Sequence, residues 1–442
     1  MTDPQRRPFA GGIPLRYLLV FWLFLLSAVA FLDRTNISIA GVEIGREFKI
    51  DNTRLGWIFS AFLIGYAAFQ VPGGVLVRRY GPRLVLSIGV VWWGLFTVLT
   101  SLVPPGMAGA VSVLILVRLA LGAGEATMYP ATNQFVERWF PVEERGKANG
   151  LIFGGVGMGS GLTPPLVTAI VLRFGWRASF WMSAGLGLVV GAVWFLAARD
   201  TPEEHLRVSS AEFGIIRRGR RSADPAPGKK SPTPWSKILL NKDILAITAS
   251  YFSFCYVAWI FFGWFYIYLA QTRGLDLKAS AMFSMLPFLA MTCGSLGGGV
   301  VSDWIARHVG HRWGRCGLST LSLASTAVLL VLGSRAPQAR TASLLLAAAA
   351  GALYVSQSCF WAVSADIAGE YSGIVSGLMN AGGQIGGALT ASLTPLISAH
   401  FGWEAAFLTA AILSGLSAVA WLVVDPKRSL APAPAAMPAA VS

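Results

Sequence analysis

Twelve runs of mostly apolar residues, each about 20 residues or longer, follow one another along the chain. They cover 16–38, 55–77, 84–103, 108–136, 147–172, 177–198, 242–270, 280–306, 315–334, 340–365, 372–399 and 403–424. Crossing ~30 Å of hydrocarbon at ~1.5 Å per residue takes roughly 20 residues, so each run is long enough for one transmembrane helix. Their Gly and Pro content is high, which embedded helices tolerate when neighbours satisfy the freed backbone groups. The pattern predicts an all-α polytopic membrane protein of twelve spans.

Composition strengthens that reading. Only 13% of the 442 residues are charged and 55% are hydrophobic, whereas soluble domains carry about 25% charged residues. The net charge of +14 raises the question of nucleic acid. The basic residues, however, gather in alternate loops: Arg6, Arg7 and Arg16, then Arg78, Arg79 and Arg83, then Arg138, Arg145 and Lys147. Residues 199–242 hold ten basic side chains against five acidic ones, while 104–107 and 367–371 hold no basic residue. That is the positive-inside distribution of an inner-membrane protein with both termini cytoplasmic, and no basic face for nucleic acid emerges. Arg16 before an apolar run and Ala28-Val29-Ala30 resemble a cleavable signal, but cleavage would leave eleven spans. The segment is expected to be retained. Cys255, Cys293, Cys316 and Cys359 show no paired spacing and are expected as small core residues.

The chain reads as a duplication. Residues 150–180 and 377–407 align without gaps, with 13 of 31 positions identical, including Phe-Gly-Trp-x-Ala-x-Phe at the start of spans six and twelve. Gly73-Gly74 with Arg79 and Gly81 is echoed by Gly298-Gly299 with Asp303. The expected organisation is a six-helix half over 1–198, a cytoplasmic linker over 199–241, a second half over 242–425 and a disordered Pro/Ala-rich tail over 426–442. Parallel halves place a substrate site near mid-membrane, and glycines such as Gly154, Gly155 and Gly159 permit close helix contact, for static packing or for rocking.

Charges inside spans are costly and point to function. Span one has Asp33 and Arg34, and span four has Arg118 and Glu125; Asp366, near the end of span ten, reads better as a solvated carboxylate. Arg118 and Glu125 are seven apart and share a helix face with Tyr129, separated by a rise of ~10 Å. Asp33 and Arg34 lie ~100° apart on their helix; one arrangement puts Arg34 towards substrate and Asp33 sideways towards span four. An arginine in a low-dielectric cavity stays charged and grips a carboxylate through two parallel hydrogen bonds. Burial raises a carboxylate's proton affinity and a nearby arginine lowers it, so Glu125 and Asp33 are the candidate proton carriers; the alternative is a structural ion-pair network. Asn380 and Gln384 in span eleven, Ser358, Trp361 and Ser364 in span ten, and Tyr66 and Gln70 in span two offer groups suited to a hydroxylated ligand. Span seven carries eleven aromatic residues between Tyr251 and Tyr268, of which some could stack on a sugar-like chain while most suit core or lipid.

Leu32-Asp33-Arg34-Thr35-Asn36, Gly122-Ala123-Gly124-Glu125-Ala126 with Tyr129-Pro130-Ala131, Trp139-Phe140-Pro141 with Glu144-Arg145-Gly146, and Asp200-Thr201-Pro202-Glu203-Glu204 together resemble the anion:cation symporter family of the major facilitator superfamily. The resemblance covers about residues 1–425. It implies the major facilitator fold and import, with protons, of hexuronates, aldonates such as galactonate, glucarate, tartrate or aromatic acids. It further implies that Arg34 holds the substrate carboxylate, Tyr66 lines the site, Asn380 contacts ligand hydroxyls, and Asp33 and Glu125 are protonatable. The partners implied are a small carboxylated substrate and the bilayer, with a monomer as the working unit and no cofactor beyond the coupling proton. Two positions depart from the pattern: Arg78 stands where the superfamily loop has an acid, which Asp303 keeps in the second half, and Gly157 stands where some sugar-acid members have glutamine.

A drug or metabolite exporter would share the fold, yet more often shows a buried acid without partner arginines. A neutral-sugar carrier would leave Arg34 and Arg118 without an anion. A membrane enzyme would need a nucleophile and base, and the spans hold no His and no paired Cys; a non-transporting receptor is a further alternative. The orientation is testable: a label introduced within 210–230 should be reached from the cytoplasmic side alone, and labelling from the periplasm would overturn it.

Overall fold

The computed structural model describes residues 13–221, 235–368 and 372–426. It is built of helices α1 (Leu15–Phe48), α2 (Asn52–Tyr80), α3 (Pro82–Leu102), α4 (Ala110–Glu125), α5 (Met128–Trp139), α6 (Val142–Phe174) and α7 (Trp176–Ala197). After a short connection come α8 (Ser210–Arg221), α9 (Trp235–Leu239), α10 (Lys242–Gly263), α11 (Phe265–Thr272) and α12 (Leu277–His308). The chain closes with α13 (Leu318–Arg335), α14 (Ala339–Val355), α15 (Gln357–Ala368) and α16 (Ser372–Val423). Among the described residues, eleven helical stretches are long and apolar enough to cross a membrane. The last of them turns at Gly402, whose backbone leaves the helical region (φ 81, ψ 164), so the twelve crossings expected from hydropathy are present. The expectation for the tail falls on residues outside those described, save for its first.

By their contacts the residues form two compact units. The first comprises 1–229, 259–289 and 388–400, and the second 230–258, 290–387 and 401–442. Three spans of the second half, those of α10, α12 and α16, therefore contribute to both.

The repeated Phe-Gly-Trp has a backbone cause. Gly175 (φ 81, ψ 164) stops α6 and starts α7, and Gly402 repeats those angles at the matching place. A side chain strains such a conformation, so each turn between consecutive spans needs glycine. The spans predicted over 108–136, 242–270 and 340–365 are each broken, at 126–127, at 264 and at 356. The first break follows from Pro130, which has no N–H for the Ala126 carbonyl. The break at Trp264 leaves the Gly263 carbonyl facing α1, where the Ser38 hydroxyl donates to it at 2.6 Å.

Glycines also set helix spacing in the first unit. A Cβ at Gly65 would strike the Leu119 carbonyl of α4, and one at Gly122 the Phe62 carbonyl of α2. Gly155 and Gly159 meet the Phe24 and Ala28 carbonyls of α1 in the same way. Backbone approach of this kind substitutes for the hydrophobic drive that helices lack against lipid. Outward faces stay apolar, as along α7 at Trp181, Val189 and Leu196.

Two polar ends are tied down. The Glu212 carboxylate of α8 accepts from the backbone N–H groups of Leu15 and Arg16 at 3.1 and 3.0 Å and pairs with the Arg16 side chain. It thereby satisfies orphan donors at the positive end of α1. Arg16 also binds Glu144 at 3.0 Å, part of the Glu144-Arg145-Gly146 motif. At the turn between α2 and α3, exposed Arg78 supplies no acid; Asp200 instead accepts from the Arg83 N–H at 2.8 Å. In the second half Asp303 pairs with Arg315 at 2.9 Å. Three cysteines are buried as expected, but Cys293 is exposed on α12, because its side of the helix faces outward there.

The close α2–α4 contact yields a stability test. Gly122→Ala must separate two backbones and should cost about 1–3 kcal/mol, lowering the unfolding temperature in detergent. Gly185→Ala, within α7 and with nothing within 4 Å of the new methyl, should be neutral or slightly stabilising. Equal melting of the two variants would refute the packing role.

Candidate functional site

The α2–α4 contact brings two membrane-embedded arginines to one place. Arg34, midway along α1, is 6% exposed and Arg118 of α4 is 2% exposed. Arg34 Nε donates to Glu125 Oε1 at 2.6 Å, and the Glu125 side chain is 1% exposed. Aromatic faces surround the guanidinium, whose Cζ lies 4.5 Å from the Phe31 ring centre and 4.6 Å from that of Tyr66. Phe31 is one turn before Arg34 on the same helix face. Phe62 is shared: Arg34 lies 5.4 Å and Arg118 4.9 Å from its ring centre. Those two distances cap the separation of the guanidinium carbons at about 10 Å.

Glu125 is the last residue of α4, held at the break that Pro130 enforces. Arg118 lies within electrostatic range of Glu125 and Asp33, yet the direct partner of Glu125 is Arg34. Neither carboxylate oxygen of Asp33 has a hydrogen bond of good geometry, and Asp33 is 2% exposed. Ser183 of α7 stands beside it, although the hydroxyl is directed at the Phe180 carbonyl at 3.3 Å. Asp33 therefore sits against α7 while still sensing Arg118 and Glu125 of α4. One turn on, Asn36 accepts from Ser179 at 2.7 Å. The formal charges of Asp33, Arg34, Arg118 and Glu125 cancel, which is what burial at membrane depth demands.

Tyr129 of α5 approaches the same region. Its hydroxyl lies 3.2 Å from that of Ser27, its ring stacks on Phe153 at 5.2 Å, and Arg34 interacts with it electrostatically. A small cavity opens on both arginines, walled in part by Phe59, Phe62, Trp259 and Phe262. It leaves about 20 Å³ for the centres of water molecules, room for one or so. An organic ligand could enter only if the walls moved.

Apart from Gln70 on α2, the remaining residues picked from sequence belong to the second unit. There Trp361 is partly exposed and packs edge-on to Tyr251 at 6.2 Å, and a Cβ at Gly383 would press on the same Tyr251 ring. Gln384 follows Gly383 and is 9% exposed, with its side-chain oxygen unpaired, as is the Ser358 hydroxyl. Asn380 is half-buried one turn earlier. Ser364 bonds across to Ser376 at 3.1 Å. Asp366 is exposed and pairs with His311 at 2.9 Å. Of the aromatic walls of the cavity, Trp259 and Phe262 belong to the aromatic stripe of span seven, whereas Phe59 and Phe62 gave no sequence signal beyond ordinary apolar positions.

Helical crossings that enclose a buried arginine–carboxylate pair are the frame of a polytopic membrane transporter. Residues 23–391 and 310–441 match the Major Facilitator Superfamily. A probable sulfoacetate transporter of Cupriavidus necator is 32% identical over 94% of this chain and 95% of its own. A hexuronate transporter of Bacillus subtilis is 30% identical over 92% and 93%. Among solved structures, a bacterial homolog of the human lysosomal transporter Spinster, inward-facing and occupied, superposes with a TM-score of 0.76 at 17% identity, covering 96% of this chain and all of that one. The chain belongs to the Major Facilitator Superfamily, and it is a transporter rather than an enzyme.

The energetics of the pair can be measured by a double-mutant cycle. Arg34→Met and Glu125→Met each strand a buried charge and should each destabilise by about 3–5 kcal/mol. The double variant should recover most of that loss in detergent unfolding. Additive losses would mean that the two side chains do not depend on each other.

Proposed function

We propose that this protein is a proton-coupled symporter that carries a small organic anion across the bacterial inner membrane by alternating access. Sugar acids such as hexuronates, galactonate and glucarate are the first compounds to test. The observation that carries the proposal is the bond between Arg34 and Glu125 inside a neutral group of four charges. A substrate carboxylate needs the arginine that Glu125 now occupies. Once displaced, Glu125 would be an unpaired buried anion, at a cost of several kcal/mol, and a proton removes that cost. Anion binding and proton uptake thus become one event, with Asp33 as a second carboxylate sharing the task. Arg118, Tyr66 and Tyr129 complete the binding face around Arg34, and Ser358, Trp361, Asn380 and Gln384 are assigned to it from sequence.

The relatives support the anionic cargo. Beyond the two already named, a probable L-galactonate transporter and a probable galactarate/D-glucarate transporter of Escherichia coli are each 30% identical over 64% and 67% of the chain. Import, cytoplasmic termini and action as a monomer are part of the same proposal. An exporter would instead accelerate efflux and show no proton-driven accumulation.

The test is reconstitution in proteoliposomes with radiolabelled sugar acids, with and without an inward proton gradient. Arg34→Ala should abolish uptake and Arg34→Lys should restore little, since an ammonium does not reproduce the two-pronged guanidinium contact. Glu125→Gln keeps the shape of the protonated acid, so it should still exchange labelled for unlabelled substrate but fail to accumulate it uphill. Asp33→Asn should show a milder version of that split. A structural ion pair predicts loss of exchange and accumulation together. Wild-type gradient-driven accumulation by Glu125→Gln would end the proton-carrier assignment.

A further inference from the structure

Resting on the anion-transport reading, we propose that the cargo is a compact anion with two acid groups on a short stem. The number of guanidiniums at the cavity is the first ground. Arg34 and Arg118 both line it. Each is buried and keeps an N–H group without a hydrogen-bond acceptor, Nη2 on Arg34 and Nε on Arg118. A ligand with a single carboxylate satisfies one arginine bidentately and leaves the donors of the other unmet, and every unmet buried donor counts against binding. A second acid group meets them.

The spacing is the second ground. With their Cζ atoms no more than about 10 Å apart, the two arginines face one compact space. Each carboxylate or sulfonate takes up ~3 Å between its oxygens and the donor nitrogens. What remains between the acid groups is a stem of a few carbons.

The walls are the third ground. The stem would rest on Phe59, Phe62, Phe262 and Trp259, the last adding a lone indole N–H. Methylene or C–H groups of the stem gain by burial against these rings. Charge gives the accompanying rule: two negative charges entering a neutral group of four are balanced when both Glu125 and Asp33 take up protons. That supplies a reason for a second buried carboxylate beside the one bonded to Arg34.

The ligands themselves provide the test, so no variant need fold for the proposal to be judged. Wild-type proteoliposomes are offered labelled malonate, succinate or sulfoacetate beside acetate, butyrate and glucuronate. Expected is uptake of at least one two-acid probe at least tenfold faster than both its one-acid counterpart and glucuronate. Of the two-acid probes, sulfoacetate tells a sulfonate–carboxylate cargo from a dicarboxylate. Arg118→Gln should shrink that preference below threefold, while folded protein is verified by its elution and melting. Any smaller wild-type preference, or a preference for glucuronate, overturns the two-acid assignment and leaves proton-coupled anion transport standing. Failure of every anion to enter would instead remove the anion-transport reading, and this inference with it.

Discussion

A charge at membrane depth must find its opposite, and in this protein Arg34 finds Glu125. Much of the surrounding structure serves that contact. The glycines at 65 and 122 let α2 and α4 touch, which brings Phe62 and Tyr66 onto the guanidinium. The break after Glu125 ends α4 where the carboxylate can meet α1. Aromatic rings crowd the Arg34 side of the pair, and both partners are buried, so its attraction is felt at low dielectric. Such a bond is strong while intact and expensive when half of it is removed. A carrier can use that property, because a substrate that competes for the arginine changes the charge state the neighbourhood will tolerate.

The same logic extends to the helix breaks. Spans with interrupted hydrogen bonding expose backbone groups that must be satisfied locally. The Gly263 carbonyl finds Ser38, one turn beyond Arg34 on α1. The segment 388–400 is anchored on α2, where Ser60 bonds the Ala388 carbonyl and the Ser392 hydroxyl, both at 2.7 Å. Pro395 in that segment cannot serve the Ala391 carbonyl, which comes to rest against Gly56. These two weak points, at Gly263 and Ala391, are thus placed where another helix approaches closely, and both residues line the cavity at the arginines.

Much of this was legible in the residues. Hydropathy located the crossings because lipid permits nothing else, and the repeated Phe-Gly-Trp marked turns that only glycine adopts easily. The buried charges stood out because they are too costly to be incidental. What could not be read is rotation of one helix against another. Seven-residue spacing placed Arg118 and Glu125 on one face, but whether Glu125 meets Arg34 or Arg118 depends on how α1 and α4 turn towards each other. Asp33 could be set apart from Arg34 by ~100° of helix rotation, without saying that α7 would be its neighbour. Phe59 and Phe62 were invisible for a different reason: an aromatic ring against an arginine and one against lipid look the same in sequence. Of the three breaks, the one near Pro130 had a local signal, and those at Trp264 and Ser356 had none.

The carboxylate of Glu212 closes the open end of α1 from a helix nearly two hundred residues away in sequence. The connector is therefore a structural member of the first half. Were the two halves made as separate polypeptides, a division at residue 199 would leave the N-terminal piece with bare amide groups at Leu15 and Arg16 and a buried arginine short of one carboxylate. A division after Arg221 would keep α8 with the bundle it closes. In a gene split by evolution or by design, the natural joint lies beyond that helix.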